Sequence, residues 1–119
     1  MAKAKTYIFG PYLWYFGDAG LTPGDRVGGF YYGYLDDSGQ LIRDNFTVTV
    51  TGHPGTGLPD PLGSQQVVQT LTILDLRVQD VPEPGVPGLY QPIIAFTVLN
   101  SGFNTMRTCE LYLTIVQRV

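Results

Sequence analysis

Apolar and polar residues alternate over much of this chain. Between Asn45 and Gly52 the order Phe-Thr-Val-Thr-Val-Thr sets Phe46, Val48 and Val50 on one face and Thr47, Thr49 and Thr51 on the other. Successive side chains of a strand point to opposite sides, so this segment predicts a strand with one dry and one wet face. Near the C-terminal end Cys109, Leu111, Leu113 and Ile115 alternate with Glu110, Tyr112, Thr114 and Val116. Ile94, Phe96 and Val98 do the same against Ala95 and Thr97. No window sustains a helical period, and Gly or Pro punctuates most of the chain.

Residues 65–79 form the longest uninterrupted segment, and their phase changes part-way. Leu71 and Ile73 share one face, whereas Leu74, Leu76 and Val78 share the other. A bulge or bend near Ile73 would shift the phase in this way. The expectation is a long strand that serves first one sheet and then the other.

Turn chemistry separates the segments. Asp36-Asp37-Ser38-Gly39 and Asn100-Ser101-Gly102 supply residues that tolerate the positive φ of tight turns. Longer breaks fall at 17–25, 52–64 and 80–88, the last stiffened by Pro82, Pro84 and Pro87. Segments 17–26 and 100–107 echo one another, which we read as shared turn chemistry rather than a repeat. Strands are expected at 6–9, 12–16, 26–35, 41–52, 67–79, 89–99 and 106–116. About seven short to medium strands with turns between them predict an all-β, antiparallel β-sandwich of jelly-roll-like type. The 119 residues make one domain, 1–119, with residues 1–5 as an N-terminal arm.

Composition narrows the function. Only 14% of residues are charged, where a soluble domain carries about 25%, although the apolar share is an ordinary 44%. The net charge of −3 offers no basic patch for nucleic acid, and Lys3 and Lys5 alone cluster. No apolar run is long enough for a membrane helix, and Met1–Gly10 holds too few apolar residues for a signal-peptide core. Synthesis in the cytoplasm is expected, with a virion or extracellular location after release. Neither nucleic acid nor membrane insertion is expected of its partners.

Catalytic and metal chemistry find little support. His53 is the single histidine and sits in the Gly/Pro-rich break, which reads as a solvated turn. Cys109 is alone and shares the parity of Leu111 and Leu113, so a buried, inert thiol is expected and no internal disulfide can form. A zinc site needs about four N or S ligands, more than these two residues supply. The run Gly52-His-Pro-Gly-Thr-Gly57 lacks the Lys-Ser/Thr end of a phosphate loop. Asp75 and Glu110 are the acids inside expected strands, and they make a poor carboxylate pair. No enzyme, cofactor or metal site is therefore expected. Asn45-Phe46-Thr47 matches a glycosylation acceptor but reads as the start of a strand.

The aromatics carry more. Ten of the fifteen precede residue 35, and they occupy both parities of their strands. Tyr12, Trp14 and Phe16 oppose Leu13 and Tyr15, while Phe30, Tyr32 and Tyr34 oppose Tyr31 and Leu35. One core absorbs one face, so some rings must pack elsewhere, and Tyr and Trp suit interfaces. The expected interface or ligand-stacking residues are Tyr12, Trp14, Tyr31, Tyr32 and Tyr34. The expected role is a non-enzymatic structural subunit that self-associates into a homo-oligomer or larger particle of virion, tail or filament type. The alternative is a lectin-like module that stacks a glycan on the same rings. Asp18, Asp36 and Asp37 would then make its polar contacts or hold calcium.

Overall fold

The computed structural model describes residues 3–55 and 69–118. Six strands appear: β1 (Ala4–Tyr15), β2 (Arg26–Tyr32), β3 (Phe46–Pro54), β4 (Leu71–Pro82), β5 (Tyr90–Asn100) and β6 (Thr108–Arg118). They form two antiparallel three-stranded sheets, ordered β1-β6-β3 and β2-β5-β4. The described residues include no helix, so none is long and apolar enough to cross a membrane.

The arrangement follows from splitting each consecutive pair between sheets. β1 and β2, β3 and β4, and β5 and β6 each contribute one strand to either sheet. The β5/β6 pair is central, flanked on one side by β1/β2 and on the other by β3/β4. The β4–β5 connection alone is a hairpin, closed by the Pro82–Tyr90 pair and by Glu83 N–H donating to Leu89 C=O at 2.9 Å.

Alternation decides what is buried. Residues paired across an antiparallel ladder share a face. In the first sheet Tyr7, Phe9, Tyr12 and Trp14 lie beside Ile115, Leu113, Leu111 and Cys109. Val48 and Val50 flank the same row from β3. Facing them are Ile94, Phe96 and Val98 of β5, joined by Val27, Tyr31, Leu71 and Ile73. These residues form one core between the sheets. Ile42, from the β2–β3 connection, adds to this core.

Three expectations are corrected. Segments 6–9 and 12–16 are one strand, because the ladder to β6 resumes after a slip between Phe9 and Tyr12. Gly10 has φ +124, and a Cβ there would meet Leu111 O at 2.8 Å, so the slip requires glycine. Pro11 lacks an N–H, which an edge strand tolerates at a bulge. Among the described residues six strands in two antiparallel three-stranded sheets thus stand in place of the seven-strand, jelly-roll-like sandwich expected. The irregularity in β4 lies between Leu74 and Arg77, with Asp75 at φ 54. β4 pairs with β5 on both sides of that bulge and does not change sheets. Of the arm expected over residues 1–5, Ala4 and Lys5 belong to β1. Residues 67–68 of the expected strand and 56–64 of the expected loop lie outside the described residues.

The two echoing segments meet in space. Leu21 and Met106 bridge with reciprocal backbone bonds of 2.7 and 2.9 Å. Asn100, 0% exposed, holds the pair of loops together. Its Nδ2 donates to Leu21 C=O (2.8 Å) and Asn104 C=O (2.9 Å), and its Oδ1 accepts from Gly102 N–H (3.0 Å). Its backbone bonds Asp25 C=O and Gly24 N–H. Replacing Asn100 with Ala takes the side-chain partner from the buried Gly102 N–H, at about 1–3 kcal/mol. It also removes the amide bonds to the Asn104 and Leu21 carbonyls, the latter still held by Met106 N–H. Asn100→Ala is therefore expected to lose about 3 kcal/mol in urea unfolding. A loss below about 1 kcal/mol would mean that the loops hold each other without the amide.

Candidate functional site

The aromatic residues singled out from the sequence are brought together, but mainly inside. Tyr12, Trp14, Tyr31 and Tyr34 pack against the core from the inner face, half-buried. Tyr12 stacks on Tyr31 with centroids 4.5 Å apart, and Trp14 stacks on Phe96 at 5.4 Å. Trp14 Nε1 donates to Tyr31 Oη at 2.6 Å, tying the edge of one sheet to the edge of the other. Burial is the main cause that raises the Tyr31 phenol above its ordinary pKa. Tyr34 packs on Phe9 with centroids 4.1 Å apart and the rings tilted by 33°, and its hydroxyl is buried without a hydrogen bond of good geometry. Tyr32 lies at the end of β2, in register with Ile93.

Gly29 makes the Trp14 contact. A Cβ there would sit 2.2 Å from Trp14 Cη2, so only glycine lets the indole reach the inner face of β2. On the outer face of the same sheet, Phe30, Ala95 and Arg77 stand in one row across β2, β5 and β4. Ala95 is the small member between two large ones. An open groove of about 1040 Å³ runs here, with Trp14, Tyr15, Phe30, Arg77 and Gln79 among its lining residues. Arg77 is held by Nε donating to Gln79 Oε1 at 3.0 Å and Nη1 donating to Asp75 C=O at 3.2 Å.

The loop carboxylates have local occupations. Asp36 Oδ1 accepts from Ser38 N–H (2.9 Å), Ser38 Oγ (2.6 Å) and Gln40 N–H (3.0 Å), closing its own turn. The Ser38 hydroxyl, aided by these amides, lowers the Asp36 pKa. Asp37 pairs with Lys5, whose ammonium also lies 5.6 Å from the Tyr7 ring centre. Asp18 accepts from Tyr15 Oη at 2.7 Å. Among the described residues no three His, Cys, Asp or Glu side chains gather as a metal site.

No protein-family model matches this chain, and no curated protein or solved structure matches it significantly. The site must be read from its own geometry.

Two faces differ in chemistry. The outer face of the first sheet is built from β1 residues Ile8, Leu13 and Tyr15, which are 68%, 67% and 62% exposed. Tyr112, Thr114 and Val116 of β6 stand beside them, followed by Thr47, Thr49 and Thr51 of β3. The acidic, basic and imidazole side chains of its paired rows are His53 and Glu110, which sit opposite each other, and Arg118, which pairs with Ala4 at the end of the face. Sequence reasoning placed His53 in a turn; it lies in β3, because pairing with β6 continues to Pro54. Its Nε2 is 3.0 Å from Glu110 Oε2 and its Nδ1 2.8 Å from Pro54 C=O. Both partners accept, so both ring nitrogens are protonated when both bonds close. Sequence spacing carries no signal for this pair, since β3–β6 register alone creates it. Cys109 is buried, and burial pushes its thiol up to about 11, which fits the inert role expected.

Two measurements check these contacts. The Pro54 carbonyl first, then Glu110, raises the His53 pKa above 6.5. The pair's contribution to stability is present below that value and is lost as pH rises through the folded-state pKa. A histidine proton titration should show a midpoint above 6.5 that falls in Glu110→Gln; a wild-type midpoint at or below 6.5 would refute the pair. Gly29→Ala should cost about 1–3 kcal/mol by overpacking against Trp14, with a changed indole fluorescence. An unchanged denaturation midpoint would contradict the packing.

Proposed function

We propose that this chain is a non-enzymatic structural subunit, a small β-sandwich that self-associates into a larger assembly of virion, tail or filament type. The observation that carries this reading is the outer face of the first sheet. Its paired rows have one exposed His53–Glu110 pair, and Arg118 at the end of β6, among threonines, tyrosines and large aliphatics. A domain that stays free in water spreads charge over such a face, and exposed apolar patches mark interaction sites. Further apolar residues stand exposed on the β4–β5 hairpin, namely Val86, Leu89 and Tyr90. All four outer strands, β1, β2, β3 and β4, have a side with no partner strand among the described residues. Free edges are templates for pairing between chains.

The groove favours one second reading, a lectin-like module. A sugar could stack on Trp14 or Phe30 while Arg77 and Gln79 bonded its hydroxyls. Occupation of Asp36 and Asp37 by Ser38 and Lys5 leaves the calcium version of this reading with less support.

Sedimentation at micromolar concentration tests the first reading. The chain should run well above its 13.1 kDa monomer mass. Ile8→Lys with Leu13→Lys should reduce association while changing stability by less than about 0.5 kcal/mol per substitution. A soluble monomer throughout would refute it. Saccharide binding that is lost in Arg77→Ala would then favour the groove.

A further inference from the structure

The four edges without a partner strand among the described residues are not equivalent. β1 carries Lys5 and the Gly10-Pro11 slip, and β2 is short, with Arg26 at its start and adjacent glycines at 28 and 29. β4 carries a bulge at Asp75, with Arg77 and Asp80 beyond it. Bulges, charges and short length are the devices that blunt an edge against pairing. β3 has none of them between Phe46 and Gly52: its ladder to β6 is continuous and its residues there are uncharged.

The direction of its backbone groups follows from the ladder. Arg118 N–H donates to Asn45 C=O and Gly55 N–H donates to Thr108 C=O, both at 2.8 Å. Hydrogen-bonded and non-hydrogen-bonded pairs alternate along an antiparallel ladder. Thr47, Thr49, Thr51 and His53 therefore aim their N–H and C=O at β6. Phe46, Val48, Val50 and Gly52 aim theirs at the free edge.

We propose that β3 is a self-pairing edge, whose partner is the β3 strand of a second copy of this chain, antiparallel about a two-fold axis at Thr49. This rests on the self-association reading above and names the route. A two-fold interface demands that residue i meet j while j meets i. Thr47-Val48-Thr49-Val50-Thr51 is a palindrome, so it satisfies that demand chemically as well as geometrically. Val48 meets Val50 of the second copy, and both have free backbone groups to exchange. Phe46 meets Gly52 in the same way. Thr49 meets Thr49 and Thr47 meets Thr51, as non-hydrogen-bonded pairs with methyls and hydroxyls in contact. Valines stay on the core face and threonines on the outer face across the join. With no charge between Phe46 and Gly52, no like charges are opposed there. On the same side of the molecule, β4 exposes Leu76 and Val78, which a second copy would approach.

Cross-linking tests the register. Non-hydrogen-bonded partners have Cα atoms about 4.5 Å apart, within the reach of a disulfide. Thr49→Cys under mild oxidation should give a covalent dimer on a non-reducing gel, with buried Cys109 silent in the parent chain. Thr47→Cys alone should not cross-link, whereas Thr47→Cys combined with Thr51→Cys should. Thr47→Lys with Thr51→Glu should keep the dimer, since each Lys faces a Glu, and Thr47→Lys with Thr51→Lys should lose it. Far-ultraviolet circular dichroism and protection of Cys109 from thiol reagents report that each variant is folded. Equal cross-linking of the Thr49 and Thr47 single variants would overturn the proposal. An oligomer indifferent to the charge pairs would overturn it while leaving self-association standing. A monomer that forms no cross-link would remove both.

Discussion

Asn100 sits where the chain can least do without a hydrogen-bonding side chain. At the end of β5 the backbone leaves one sheet for the other, and the neighbouring β1–β2 connection makes the opposite crossing. Residues in such a crossing belong to neither ladder, yet Leu21, Met106 and Gly102 there are buried. Buried N–H and C=O groups need partners. The Asn100 amide has donors and an acceptor in one short side chain, and it bonds both loops at once. Stacking of the two crossings fixes β1 beside β6 and β2 beside β5, and the aromatic core depends on that placement.

The seam of Tyr12, Trp14, Tyr31 and Phe96 is the next layer of consequence. It joins edge strands of different sheets, where a two-sheet structure is otherwise open. Trp14 reaches across because Gly29 leaves space, and its N–H is satisfied by Tyr31. Rings that the sequence offers for an interface are thus largely consumed in holding the sheets together. What remains outside on the first sheet is Ile8, Leu13, Tyr15 and the threonine rows, while Phe30, Tyr90 and Phe103 stand exposed elsewhere. The proposed assembly draws on this flat face and on the strand edges.

Charge is scarce on these faces for a related reason. Lys5 and Asp37 pair, Tyr15 donates to Asp18, and Asp36 is spent on its own turn. The carboxylates serve local structure, so little of the 14% charged content is left to keep the outer sheet face wet.

Much of the fold was legible from alternation alone. The parity of residues 45–52 and 109–116 assigns the buried faces of β3 and β6, because a strand's side chains have a period set by covalent geometry. In central β5, by contrast, Ile93 and Ala95 of the opposite parity are buried as well as Ile94, Phe96 and Val98. The parity of Tyr12 and Trp14 against Leu13 and Tyr15 is right as well. Parity cannot tell which face is the inner one when both are apolar, so the rings of β1 could be assigned to neither side in advance. Nor could it foresee that Gly10-Pro11 interrupts the phase of a strand without ending it. The pairing of His53 with Glu110 and the row of Phe30, Ala95 and Arg77 arise from register between distant segments. Local residue order determined which segments are strands and what each face carries. Tertiary structure decided which faces meet, since register depends on how the crossings at residues 16–25 and 101–107 stack and not on any single strand.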